Sequence, residues 1–157
     1  MRYLIGLGSN LGDRGAELCE ARGRLAATPF TLIQQSRVYE SPAWGDRGAP
    51  PFLNAVVEVE SDSGPWAALR SLQGLEDALG RVRMSRRNAP RSIDLDLIAA
   101  DRVWMNSREL TLPHPRLWRR AFVLVPLRDL EGTERFFPRG LPSSGASPIA
   151  AVEIPGW

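Results

Sequence analysis

Two aspartates and an arginine-rich stretch carry most of the chemistry in this chain. Arg81, Arg83, Arg86, Arg87 and Arg91 fall within eleven residues, and Asp94 and Asp96 follow at i and i+2. Ile93, Leu95 and Leu97 alternate with the aspartates. A strand here would turn both carboxylates to one face and the apolar residues to the other. Same-face neighbours on a strand stand about 7 Å apart at Cα. Carboxylates held that way could share a pair of divalent cations about 4 Å apart. Their oxygen donors suit Mg²⁺, which usually takes one or two carboxylates and completes its shell with phosphate oxygens and water. Guanidinium groups just upstream would grip the same phosphates in bidentate fashion. The combination points to phosphoryl or pyrophosphoryl transfer from a nucleotide. A D-x-D alone is commonly the wet face of an edge strand, and an arginine run a solvated loop. Adjacent, and joined through Pro90, they describe a site.

Other residues could serve it. Asn54 stands beside Phe52 and downstream of Trp44. It either satisfies loop backbone or hydrogen-bonds a flat heteroaromatic ring held by the two aromatics. His114, the single histidine, lies between Pro113 and Pro115 and is a candidate phosphate contact. Gln73 and Glu76 flank the apolar stripe of an expected helix. Cys19 is the one cysteine, which excludes an internal disulfide and reads as a small buried hydrophobe.

All twenty basic residues are arginine, at a net charge of +2. Without lysine there is no P-loop lysine, Schiff base or lysine general base. One histidine and one cysteine argue against a His/Cys zinc site. With 157 residues the chain matches one ordinary domain that can bury a core without staples. No apolar run reaches membrane-span length and no signal-peptide pattern opens the chain, so a cytoplasmic location is expected.

These residues need elements to position them. Arg2 to Gly8 reads as a strand, and Gly8 to Asp13 as a turn cluster with Asp13 capping a helix to about Ala27. Thr31 to Ser41 reads as a second strand, followed by a Pro- and Gly-rich loop. Phe52 to Glu60 is a third, with Leu53, Ala55, Val57 and Val59 toward the core. Ser63 caps a second helix carrying Leu69, Leu72, Leu75 and Leu79, which Gly80 ends. The Asp94–Asp96 strand turns at Asp101-Arg102, and Val103 to Leu110 returns beside it. Leu117 to Leu130 forms a third helix, and an irregular tail covers about 131–157. The order fits an α+β fold, a ferredoxin-like βαββαβ sandwich. Its mostly antiparallel sheet has helices on one face, plus an extra hairpin strand and a C-terminal helix. Residues 1–157 form a single domain.

Six motifs occur in order: Gly8-Ser-Asn10-Leu-Gly12-Asp13, Tyr39-Glu-Ser41-Pro42, Phe52-Leu-Asn54-Ala55, Gly80-Arg-Val-Arg83, Ala89-Pro-Arg91-Ser-Ile-Asp94-Leu-Asp96-Leu97 and Leu112-Pro-His114-Pro. Together they resemble the 6-hydroxymethyl-7,8-dihydropterin pyrophosphokinases of folate biosynthesis. The resemblance implies pyrophosphoryl transfer from MgATP to the pterin hydroxymethyl oxygen, releasing AMP. It implies a pterin pocket of Ser41, Pro42, Trp44, Phe52, Asn54 and Phe122, and two Mg²⁺ ions on Asp94 and Asp96. It implies ATP contacts from Gln73, Glu76, Leu97, Thr111, His114 and Arg120, and catalytic arginines Arg81, Arg83 and Arg91 on a mobile lid. Its partners would be ATP and the pterin, with no nucleic acid and no membrane, acting on a monomer. Asn88, Glu109 and Pro115 depart from residues found in some members, which bears on ATP binding. The rival readings are an RNA-binding α+β module and a catalytically inactive relative.

Overall fold

The computed structural model describes residues 1–27, 29–43, 48–80, 92–144 and 148–157. The order is β1 (Arg2–Ser9), α1 (Arg14–Ala27), β2 (Thr31–Gln35), β3 (Val38–Ser41), β4 (Phe52–Glu60), α2 (Pro65–Ala78) and β5 (Asp94–Ala100). There follow β6 (Met105–Asn106), β7 (Thr111–Leu112), a 3₁₀ turn (Leu117–Arg119), α3 (Ala121–Leu127), a second 3₁₀ turn (Thr133–Arg135) and β8 (Ala150–Val152). The main sheet runs β5-β1-β4-β3-β8, with β2 also on β4, and all its pairings are antiparallel. Taking β2 and β3 as one lane gives the expected ferredoxin-like order.

Alternation along β1, β4 and β5 sorts the side chains onto two faces. Tyr3, Ile5, Leu7, Leu53, Ala55, Val57, Val59, Leu95 and Leu97 join Leu18 and Leu25 of α1 and Leu72 and Leu75 of α2 in one core. Leu4, Val56 and Ile98 point the other way, under Val123, Leu124 and Leu127 of α3 and the buried Phe136 and Phe137. The third helix therefore packs opposite the first two, and covers part of the face that the aspartates share.

Several boundaries differ from expectation. The strand expected over 31–41 breaks at Ser36. There the Ser36 Oγ accepts the Val56 N–H (2.9 Å) and the Ser36 N–H reaches Val56 O (2.9 Å). The residue capping α2 is Gly64, without a side-chain cap, and Pro65 follows it. The carbonyl of Ser63 instead accepts the Tyr3 hydroxyl. The return strand expected over 103–110 shrinks to β6, which pairs with β7 as a separate hairpin. An Ala100–Val103 bridge closes the Asp101-Arg102 turn. The helix expected over 117–130 is a 3₁₀ turn and α3, parted by Arg120 in an extended conformation. The tail expected to be irregular supplies β8, which pairs with β3. Behind it the Trp157 indole N–H donates to Ser36 O (2.8 Å), beneath the Arg22 guanidinium. Cys19, expected buried, is only half-buried against this tail.

Candidate active site

The site is laid out in rows across three neighbouring strands. Gly8 on β1 lies between Asp94 of β5 and Asn54 of β4, and Gly6 lies between Asp96 and Val56. Two glycines at i and i+2 leave a strip of β1 bare of side chains on this face. A methyl group at Gly8 would stand 3.6 Å from Asn54 Oδ1 and 3.7 Å from Phe52 Cδ1. At Gly6 it would stand 3.1 Å from Ile98 Cδ1. Glycine inside a strand marks a close approach to backbone. In the sequence Gly8 reads as the end of a strand and the start of a turn, with no part in a site.

On one side of this strip, Asn54 is buried. Its Nδ2 donates to Ser41 Oγ (2.9 Å) and lies 3.5 Å from Tyr39 O. Its Oδ1 is thereby presented over Gly8 as an acceptor. Phe52 pairs across the ladder with Ser41, so Ser41, Phe52 and Asn54 form one wall, with the exposed Pro42 just beyond. Asn10 Nδ2 holds Pro50 O at 3.3 Å, fixing the approach to that wall.

On the other side, Asp94 and Asp96 share the open face of the edge strand β5, while Leu95 and Leu97 enter the helix-side core. Arg120 NH1 donates to Asp96 Oδ2 (2.9 Å), and its guanidinium lies 5.5 Å from the Phe122 ring centroid. The extended Arg120 that splits the expected helix turns this side chain toward β5. His114 is anchored by its N–H to Ile98 O (2.7 Å). Its Nδ1 accepts the Arg116 N–H (3.2 Å), which leaves the ring proton on Nε2. Burial lowers the imidazole's pKa; the carboxylates of Asp96 and Asp94 oppose this, and Arg120 and Arg116 reinforce it. The ring is thus a neutral Nε2–H donor at pH 7.

The remaining expected residues divide. Thr111 Oγ1 donates to Asn106 Oδ1 (3.1 Å) within the β6–β7 hairpin. Gln73 is exposed on α2. Glu76 is buried, and its Oε1 accepts the N–H of Leu95, the residue between the two aspartates (2.8 Å). The Leu97 side chain is in the core, as its alternation with the aspartates predicts, so a nucleotide contact there would belong to its backbone. Trp44, Arg81, Arg83 and Arg91, with Asn88, lie outside the described residues.

The donor set fits Mg²⁺. Two carboxylates share a face, and among the described residues no cluster of three acidic, His or Cys ligands forms a complete protein cage. Mg²⁺ in phosphoryl-transfer sites is commonly held by one or two carboxylates together with substrate phosphates. The arrangement offers a hydrogen-bonding wall for a flat ring and an acidic strand for cations and phosphates, with open backbone between.

Most of the chain is similar to known proteins. Residues 4–132 match the family model described as 7,8-dihydro-6-hydroxymethylpterin-pyrophosphokinase (HPPK). A 2-amino-4-hydroxy-6-hydroxymethyldihydropteridine pyrophosphokinase of Methylorubrum extorquens is 43% identical over 130 residues, covering 82% of each chain. The Bacillus subtilis protein of the same name is 37% identical over 127 residues, covering 80% of this chain and 75% of its own. The solved Plasmodium falciparum HPPK-DHPS superposes with a TM-score of 0.58 at 15% identity. That likeness concerns the fold and takes in 82% of this chain but 39% of the larger one.

Proposed function

The chain belongs to the 7,8-dihydro-6-hydroxymethylpterin-pyrophosphokinase family, and from that premise we infer how its residues divide the reaction. It transfers the pyrophosphoryl group of ATP to the hydroxymethyl oxygen of 6-hydroxymethyl-7,8-dihydropterin in folate synthesis. The hydroxymethyl oxygen bonds to the β-phosphorus, the bond from the β-phosphorus to the oxygen bridging to the α-phosphate breaks, and AMP leaves. The hydroxyl proton passes to solvent or a phosphate oxygen. The substrate supplies the nucleophile, so no side chain need become covalently attached. Rate then depends on alignment and on neutralising phosphate charge.

The observation that carries the assignment of roles is the bare strip of β1 between Asn54 and Asp94. Asn54 Oδ1 would accept from the N–H edge of the pterin, with Ser41, Pro42, Phe52, Phe122 and Trp44 around the ring. Asp94 and Asp96 would hold two Mg²⁺ ions, which supply Lewis-acid charge to the phosphates. Arg120 and the His114 Nε2–H would meet the nucleotide, with Thr111, Gln73, Glu76 and the Leu97 backbone around it. Arg81, Arg83 and Arg91 would clamp the phosphates. A monomer in the cytoplasm would suffice for this chemistry, with neither nucleic acid nor membrane as partner. No helix among the described residues is long and apolar enough to cross a membrane.

The test is a product assay with MgATP and 6-hydroxymethyl-7,8-dihydropterin. Pterin-dependent AMP is expected. ADP would mean a simple kinase, and salt-dependent RNA binding without either product would favour a binding module. Asp96→Ala should lose several kcal/mol of transition-state stabilisation, on the order of a hundredfold or more in turnover. A variant within about tenfold of wild type would refute the metal role.

A further inference from the structure

The turn that opens α1 has no part in the scheme above, yet one of its side chains reaches the pterin wall. We propose that Arg14 is a positioning residue for the pterin. It fastens both ends of the connection between β3 and β4, and so sets where Ser41, Pro42 and Phe52 stand. The proposal rests on the pterin lying against those residues.

Arg14 NH1 donates to Pro51 O at 2.8 Å and meets Glu40 Oε2 at 3.0 Å. Glu40 is the residue before Ser41, and Pro51 the residue before Phe52. One guanidinium therefore joins the two places where the chain leaves and re-enters the sheet. Side chains alternate along β3, so Glu40 is gripped from the helix side while Ser41 faces the opposite side, toward Asn54. A shift of Glu40 is passed to Ser41 through the backbone alone.

The arginine is itself well placed. Asp13 Oδ1 accepts the Ala16 N–H (3.0 Å), and the Arg14 N–H reaches Gly12 O (3.1 Å). A hollow of about 460 Å³, lined by Pro42, Ala43, Ala49, Pro51, Pro148 and others, lies beside both ends of the connection. Among the described residues its lining is mostly short side chains, so the polar contacts of Arg14 bear directly on its position. The ion pair is partly exposed, 28% at Arg14 and 40% at Glu40, so its worth in stability is small. Its effect falls on geometry, and on one substrate: the nucleotide candidates Thr111, His114 and Arg120 come from other segments.

Arg14→Met keeps the stem and removes the donors. Its KM for the dihydropterin should rise about tenfold, with the KM for MgATP within about twofold and the melting temperature unchanged. Arg14→Lys, which keeps one contact, should recover part of the loss, and Glu40→Gln should show a smaller rise with the same split. Two results would overturn the proposal: the pterin and ATP constants moving together, or neither moving beyond about twofold. If Arg14→Met does not fold, the Lys and Gln variants must show the split by themselves. Wild-type enzyme that yields no pterin-dependent AMP defeats the functional reading. Active wild type beside unchanged variants defeats the positioning role alone.

Discussion

Gly8 contributes by lacking a side chain. The methyl of an alanine would already crowd Asn54 Oδ1 and Phe52, and valine would fill the gap between Asn54 and Asp94. Gly8→Val should therefore weaken pterin binding about tenfold or more, the scale of overfilling a packed site by about 1–3 kcal/mol. Valine suits a strand, so the fold should hold. Fluorescence titration with pterin beside a melting curve checks both; unaltered affinity would show that the ring does not lie over Gly8. Asp94, Asp96 and Asn54 were legible in the sequence because polar residues interrupt an apolar alternation. Gly8 was not: next to Ser9, Asn10 and Gly12 it reads as the place where a strand gives way to a turn, and only the pairing with Asn54 and Asp94 shows the gap it leaves.

At the scale of elements, the join between β3 and α3 is electrostatic. Asp129 follows α3 and accepts from the Arg37 N–H (2.9 Å), from Arg37 NH2 (2.9 Å) and from the Tyr39 hydroxyl. Burial by itself would raise the Asp129 carboxyl's pKa, but the hydrogen bonds from Arg37 and Tyr39 outweigh it and hold the group below its ordinary value. A carboxyl lowered on folding stabilises the native state above the unfolded pKa of about 3.9, and that contribution is lost as pH falls through the folded value. Wild type should therefore be more stable than Asp129→Asn at pH 6, with the gap closing below about pH 4. Urea unfolding across that range measures it, and a gap independent of pH would contradict the assignment. The core faces of β4, β5 and α2 were read correctly because each carries its own periodicity. The split of the third helix at Arg120 was not. It follows from a partner, Asp96, that is 24 residues away in the chain.

At the scale of the molecule, the last ten residues extend the sheet by one strand. β8 covers the outer edge of β3, Arg22 NH2 holds Gly156 O (2.7 Å), and Trp157 locks over the strand break at Ser36. An uncovered strand edge invites pairing between molecules. Trp157→Ala should cost about 2 kcal/mol or more, and removal of residues 148–157 should also bring concentration-dependent association. Light scattering beside thermal unfolding tests this; a truncated chain with the association state and stability of wild type would leave β8 without a structural role. It was not read from the sequence, since the stretch from Gly132 is rich in Pro, Gly and Ser ahead of the short apolar run Ile149–Val152, and its contacts are distant ones. The bare strip of β1 has a last consequence. Asn54 and Asp94 lie two strand spacings apart, roughly 10 Å, a span that the hydrogen-bonded sheet cannot easily stretch. The sheet therefore acts as a ruler. With the ring on Asn54 and the cations on Asp94, as proposed, an alcohol borne directly on the ring would stop short of the phosphates, and one on a longer arm would overshoot them.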